Sequence, residues 1–531
     1  MNSVQLYDTT LRDGAQREGL SFTAEDKLRI VRRLDGLGIH FIEGGWPGAN
    51  PKDDEFFAQA KGLSLRGAVL VAFGSTRHAR AETEQDPNLR ALLNAGTQVV
   101  TIVGKSWDHH VTHIIETSLE ENLRMIADSI AYIRSQGRRA FFDAEHFFDG
   151  MKANADYAIE TVRAAAQAGA ECVILCDTNG GSLPHQVAEA VRAVAGRVAV
   201  PLGIHAHNDG ELAVANTLAA VEAGATQVQG TINGYGERCG NANLCSIIPT
   251  LKLKMGIDCI DSERLATLTE VAHYVSEVAN LTLDSHLPYV GASAFTHKAG
   301  LHVAALTKWE QSYHHTNPTL VGNQWRTLVS ELSGRGGIVR KARERGLDLE
   351  AHDDRARAVL EQVKALESQG FQYDGADASF ELLIHRSRPD YRAPFELVDF
   401  MVMVEKRRRP STVSEGEEML SEATVKVRVG SDVIHTAAEG NGPVNALDAA
   451  LRKALIVFYP SLEAVRLVDY KVRAIDEPEG TASRVRVLIE SSDGEHEWRT
   501  VGSSANIIEA SWLALADGME YWLLKSGAIP R

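Results

Sequence analysis

Short apolar runs alternate with amphipathic stretches through the first half of the chain. The runs at 4–8, 40–44, 68–73, 99–104, 139–145, 172–177, 202–207 and 227–233 are β-rich and short enough to be buried strands. Apolar positions recur with helical period at 23–37, 52–62, 87–95, 119–136, 154–168, 184–196, 211–223 and 243–255. Gly38, Gly96, Gly137, Gly169 and Gly224 stand at the ends of such periods, where a left-handed residue terminates a helix. Strands alternating with helices form a parallel sheet. Eight such units in roughly 250 residues favour a closed (β/α)8 TIM barrel over an open doubly wound sheet. No G-x-G-x-x-G follows the first run, which also speaks against a dinucleotide-binding sheet.

The alternation then stops. The pattern predicts a barrel over 1–264, a helical linker region over 265–394 and an α+β domain over 395–531. Residues 341–368 read as charged, solvated helices, and the polar, charge-segregated stretch 405–418 reads as an exposed loop. In the tail, N-A-L-D-A-A-L (445–451) resembles N-I-I-E-A-S-W (506–512). Each is preceded by a β-rich segment, at 425–429 and 485–489, so two β-then-α units are expected.

Composition narrows the class. A formal net charge of −16 argues against nonspecific partners such as nucleic acid or an anionic membrane. No apolar run approaches a membrane span, and the N-terminus lacks the cationic start and apolar core of a signal peptide. The five cysteines lie in the first half without metal-ribbon spacing, as reduced thiols of a cytoplasmic protein would.

The C-terminal ends of barrel strands are where such folds build their sites. Arg12, Asp13 and Gln16 follow the first predicted strand, Glu43 ends the second and Glu145 the fifth. Asp177 and Thr178 end the sixth, His205 and His207 the seventh, and Asn233, Glu237, Arg238 and Asn241 follow the eighth. Singly, each has an ordinary explanation as a turn, cap or surface residue. Together they place carboxylates, imidazoles and amides on one rim. His205 and His207 alternate onto the same side of a strand. Asp13, His205 and His207, with Asn241 as a fourth contact, form a mixed oxygen and nitrogen set suited to Mg2+, Mn2+ or Zn2+ with open positions. Such an ion could grip an α-keto acid, with Arg12 placed to stabilise the alkoxide formed on attack at the ketone.

The segments L-Y-D-T-T-L-R-D-G-A-Q (6–16), H-A-H-N-D (205–209) and N-G-Y-G-E-R-C-G-N-A-N-L (233–244) resemble the signatures of the isopropylmalate, homocitrate and citramalate synthase family. The run I-E-G-G-W-P-G-A-N-P-K-D-D-E-F-F (42–57) is most similar to the citramalate branch. The resemblance implies a Claisen condensation of acetyl-CoA with a 2-oxo acid, pyruvate in that branch, through a homodimer. It implies Asp13, His205, His207 and Asn241 as metal ligands and Arg12 facing the keto oxygen. Thr178 would hold the substrate carboxylate, with Gln16 lining the pocket. Glu145 and His302, the latter from A-F-T-H-K-A-G-L-H (294–302) and acting in the partner subunit's site, are the candidates for proton transfer. Tyr313 is a candidate for a linker tyrosine that 320–326 lacks. The tail would be the family's regulatory and dimerisation domain, with isoleucine as feedback inhibitor. The His-rich segment 107–113 reads as a loop that borders the pocket or is simply solvated, and S-G-R-G-G (333–337) as a turn offering backbone N–H groups to a CoA phosphate. The alternatives are a sister synthase using a bulkier 2-oxo acid, a hydroxymethylglutaryl-CoA-type lyase, and a non-catalytic sensor that kept the fold.

Overall fold

The computed structural model describes residues 3–297, 300–327, 335–344, 347, 349, 354–373, 375–406, 419–475 and 483–529. Eight parallel strands close on themselves: β1 (Gln5–Asp8), β2 (Phe41–Gly45), β3 (Val69–Ser75), β4 (Val99–Lys105), β5 (Arg139–Glu145), β6 (Cys172–Asp177), β7 (Leu202–Ala206) and β8 (Gln227–Gly230). β1 pairs with both β2 and β8, which seals the barrel.

Local chemistry sets the element ends. The helix Ala24–Leu37 opens on a capping box, in which Thr23 accepts from Asp26 N–H at 3.1 Å and Asp26 accepts from Thr23 N–H at 3.0 Å. It closes on Gly38 at φ +98°, and the other predicted stop glycines also adopt positive φ.

The barrel interior shows why the site lies where it does. Inward residues Tyr7, Phe41, Val71, Val99, Phe141, Cys172, Ile174 and Cys176 pack together, with Phe41 and Phe141 edge to face at 5.0 Å. Two residues further along several strands, at positions of the same parity, buried polar side chains stand instead: Glu43, Thr101 and Asp143. The lumen is therefore a packed plug that becomes polar toward the C-terminal ends of the strands.

Three expectations change here. The eighth strand ends at Gly230 rather than 233, because Ile232–Gly234 coils into a short 3-10 turn with Asn233 at φ +62°. His207 lies one residue beyond β7 and is held by a bridge to Asn241. The segment expected as a His-rich loop contains the helix Asp108–His113. His110 stacks on Trp107 at 4.9 Å and meets His146 at 4.2 Å, so its ring is packed rather than simply solvated.

Asp35 ties this first helix to the segment that enters β3. Its carboxylate accepts from the backbone N–H groups of Arg66, Gly67 and Ala68 at 2.8, 3.0 and 2.9 Å. Burial raises its pKa, but these donors outweigh burial and hold it below the ordinary value. The folded pKa is thus depressed, so the contribution is complete above the unfolded pKa of about 3.9 and fades as pH falls through the lower folded value. Asp35→Ala is expected to cost about 1–3 kcal/mol at pH 7, and the gap from the parent should shrink in acid. A gap in denaturant midpoints that stays constant from pH 7 down to pH 2 would contradict this.

Contacts divide the chain into one unit of Met1–Phe295 with His314–Trp325, and another of Thr296–Tyr313 with Arg326–Arg531. In the second, β9 (Thr296–His297) and β10 (Arg326–Thr327) pair in parallel. The helices Arg335–Glu344, Asp354–Glu367 and Asp377–Arg386 share a core that includes Ile338, Val359, Val363 and Phe380. The described residues of 341–368 are therefore partly packed, through Ala342, Ala356, Val359 and Val363, and not only solvated. Of the glycine-rich segment 333–337, Ser333 and Gly334 lie outside the described residues, and Arg335 opens a helix. Most of 405–418 also lies outside them.

The tail holds the two expected units, each with three antiparallel strands before its helix. The first is β11 (Glu396–Lys406), β12 (Met419–Val429) and β13 (Asp432–Gly440) with the helix Pro443–Leu455. The second is β14 (Arg466–Ala474), β15 (Val485–Ser492) and β16 (Glu497–Ser504) with the helix Ile507–Ser526. The repeat runs deeper than the helix motif. Both first strands carry L-V-D and shift register there, between Leu397 and Asp399 and between Leu467 and Asp469. Thr436 donates to Ala450 O at 2.8 Å, and Thr500 to Ala514 O at 2.7 Å. These bonds match when the helix starts Pro443 and Ile507 are aligned, just under one turn away from the alignment of 445–451 with 506–512.

Candidate active site

A cleft of about 790 Å3 at the C-terminal ends of the strands is lined by Arg12, Asp13, Gln16, Glu145, Thr178, His205 and His207. Asp13 follows β1 in a tight turn, His205 is the fourth residue of β7, and His207 lies just past that strand. Nε2 of His205 is 3.3 Å from Asp13 Oδ2, and Nε2 of His207 is 3.9 Å from the same atom. One ligand atom from each of the three lies within 4.8 Å of the others, and all three residues are buried.

Asn241 follows a glycine-rich loop and is bridged to His207. Gly240, at φ +92°, has no room for a side chain, since a Cβ there would stand 2.1 Å from Gly234 O. A Cβ on Gly236 would stand 2.6 Å from Asn241 Nδ2. Asn241 Nδ2 donates to Tyr235 O at 3.4 Å, whereas its Oδ1 is buried with no hydrogen-bond partner. A buried amide oxygen without a hydrogen-bond partner, on a residue bridged to His207, fits a divalent cation, because an ion would satisfy it.

Electrostatics favour the same fit. Burial pushes the Asp13 carboxyl up, but Arg12 beside it and the hydrogen bond from His205 outweigh burial and hold it well below the carboxylate range. Burial lowers the His205 pKa, but Asp13 more than compensates and raises it overall. His207 is pushed down to about 3 by burial and then by repulsion from His205. Before any ion binds, the pair therefore holds its protons unequally.

Arg12 is fixed on three sides. Its Nε donates to Glu43 Oε1 at 2.6 Å, its Nη2 lies 3.8 Å from Asp13 Oδ2, and its guanidinium carbon sits 3.8 Å over the Phe73 ring. Tyr7 OH donates to the other Glu43 oxygen at 2.5 Å. Thr178 accepts from the backbone N–H of His146 at 2.9 Å, which leaves its hydroxyl proton free to donate to a ligand. Arg238 donates to Thr178 O at 2.7 Å and to both Asp209 oxygens at 2.7 and 2.9 Å, linking the loops after β6 and β7. Glu145 is ion-paired with Lys105 at the end of β4. His302 belongs to the second unit, where it stacks on Tyr313 at 4.2 Å.

Residues 3–274 match the HMGL-like family model, 289–370 the homocitrate synthase post-HMGL domain-like model and 374–523 the LeuA allosteric (dimerisation) domain. An (R)-citramalate synthase of Geobacter sulfurreducens is 54% identical over 100% of this chain and 99% of its own length. One from Streptomyces coelicolor is 50% identical over 100% and 98%. The chain belongs to the (R)-citramalate synthase family. A probable 2-isopropylmalate synthase of Methanopyrus kandleri is more distant, at 30% identity over 97% of both chains. Sequence reasoning missed the supports behind the rim. Lys105 was not singled out, Glu43 stood only as one of the rim carboxylates, and Tyr7, Asp143 and Gln229 were read as strand interior. Their signal is inward parity on a barrel strand, which needs the register to be known. Among the described residues no helix is long and apolar enough to cross a membrane.

Proposed function

We propose that this chain condenses acetyl-CoA with pyruvate to give (R)-citramalate and CoA, the first step of a threonine-independent route to isoleucine. The observation that carries the reading is Asp13, His205 and His207 grouped beside Arg12 in one cleft, in a chain whose full-length relatives are (R)-citramalate synthases. Asp13, His205, His207 and Asn241 would hold a divalent cation, Mg2+, Mn2+ or Zn2+, which when bound supplies Lewis-acid polarisation of the keto group. The Thr178 hydroxyl donates to the pyruvate carboxylate, and Gln16 lines the same wall. Glu145 or His302 takes the proton from the acetyl methyl group, with His302 serving the barrel of a partner subunit in a homodimer. The enolate carbon attacks the ketone, Arg12 stabilises the oxyanion that forms, and the oxyanion then takes a proton to become the product hydroxyl. Water then cleaves the citramalyl-CoA thioester and CoA leaves with the thiol proton.

CoA release measured with pyruvate, 2-oxoisovalerate and 2-oxoglutarate tests the substrate. Pyruvate is expected to lead in kcat/KM by at least about 10-fold, the usual worth of added methyl groups in an apolar pocket. A lead for 2-oxoisovalerate would make the chain a sister synthase. No CoA release with any of the three would favour a lyase.

The same assay tests isoleucine as feedback inhibitor, which should slow CoA release. A tail match to an allosteric domain supports that reading. So does a cleft of about 610 Å3 there, walled by Val444, Ile456, Leu462 and Val465, with Asp448 and Arg452 on its polar side.

A further inference from the structure

The metal-site reading leaves one question open: what makes His205 present the right nitrogen. A neutral imidazole carries its proton on Nδ1 or Nε2 and can coordinate only through the other. Nε2 is the atom that faces Asp13, at 3.3 Å. Nδ1 faces the side chain of Gln229 on β8, with Gln229 Oε1 at 3.0 Å. Both residues are buried.

Gln229 does not choose its own orientation. Its Nε2 donates to Asp143 Oδ1 at 3.1 Å. A carboxyl group always has an oxygen that only accepts, so Asp143 draws the NH2 end of the amide. The carbonyl end is then turned toward His205, where it can only accept. Nδ1 of His205 is therefore a donor with a built acceptor, and Nε2, which hydrogen-bonds Asp13 here, is the nitrogen left to give up its proton and coordinate an ion. His207 has no such arrangement: its Nδ1 is buried without a hydrogen-bond partner.

We propose that Gln229 is a positioning residue, oriented by Asp143, that holds His205 in the tautomer protonated on Nδ1 and so presets Nε2 as a ligand atom. The inference rests on the metal-site reading, and it assigns unequal roles to the two histidines. Nδ1 of His205 has a built acceptor, whereas Nδ1 of His207 has no hydrogen-bond partner. A glutamine that merely filled the lumen would need neither the amide polarity nor the aspartate behind it.

The first test reads the parent chain directly. Long-range 1H–15N spectra of the full chain with 15N-labelled histidine and Zn2+ bound, assigned by comparison with His205→Asn, should show His205 protonated on Nδ1 and not on Nε2. A neutral His205 protonated on Nε2 would overturn the proposal. The second test titrates Mn2+ alone into full-length variants. Gln229→Leu should weaken Mn2+ binding by about 10–100-fold. Gln229→Glu, which keeps an acceptor for Nδ1, should recover most of the loss. A folded Gln229→Leu that binds Mn2+ within twofold of the parent would also overturn the proposal. If Gln229→Leu does not fold, Gln229→Glu and the parent tautomer still decide. Absence of Mn2+ binding by the parent is failure of the metal-site reading, and it is read separately from the tautomer.

Discussion

Replacing Asp13 by alanine should cut CoA release by about 10³-fold or more while the chain stays folded. Polarisation by a bound cation is worth several kcal/mol of transition-state charge stabilisation, and each 1.36 kcal/mol is a factor of ten in rate. Asp13 is the one carboxylate in the His205 and His207 group, and its loss leaves two imidazoles and an amide, too little charge to hold Mg2+ or Mn2+ firmly. Folding should change by no more than about 1–2 kcal/mol, because removing the carboxylate removes its own burial penalty along with its hydrogen bond. Mn2+ titration, CoA release and thermal melting followed side by side separate the effects. A folded Asp13→Ala that keeps activity within tenfold of the parent, and keeps it in the presence of a chelator, would remove the metal from the mechanism.

Much of this was legible in the sequence, and the reason is geometric. A parallel barrel repeats one local unit, so apolar runs, helical periods and stop glycines each report an element, and eight units fix the closure. The rim position of Asp13, Thr178, His205 and His207 then follows from strand ends alone. The supports behind the rim follow from register instead. Tyr7 meets Glu43 because β1 pairs with β2 at Tyr7 and Phe41, and Gln229 meets both His205 and Asp143 only because β7, β8 and β5 face a common lumen. Such contacts span 24 to 86 residues of sequence, and no local pattern encodes them. The tail shows the same limit. Its helix motif announced a repeat, but the true alignment became visible only through the matched register shifts and the paired threonine bonds.

Arg12 and Glu43 offer a sharper test, because they separate catalysis from stability within one pair. Glu43 is fully buried, and Arg12 lies beside it, close to Asp13 and Asp143 as well. Arg12→Leu strands the Glu43 carboxylate without its cation, and breaking a buried pair on one side costs about 3–5 kcal/mol. On the proposed mechanism it also removes the donor to the developing oxyanion, worth about 10²–10³-fold in kcat. The single variant should therefore be both unstable and nearly inactive, and by itself it says little about which loss causes which. The double variant Arg12→Leu/Glu43→Leu removes both charges. Tyr7 OH keeps Thr101 Oγ1 as a partner at 2.8 Å, and replacing a buried ion pair by apolar groups is often close to neutral in stability. Its melting temperature should return most of the way to that of the parent while kcat stays at the level of Arg12→Leu. Recovery of kcat together with stability would mean that Arg12 only braces the lumen, and that the oxyanion is stabilised elsewhere on the rim.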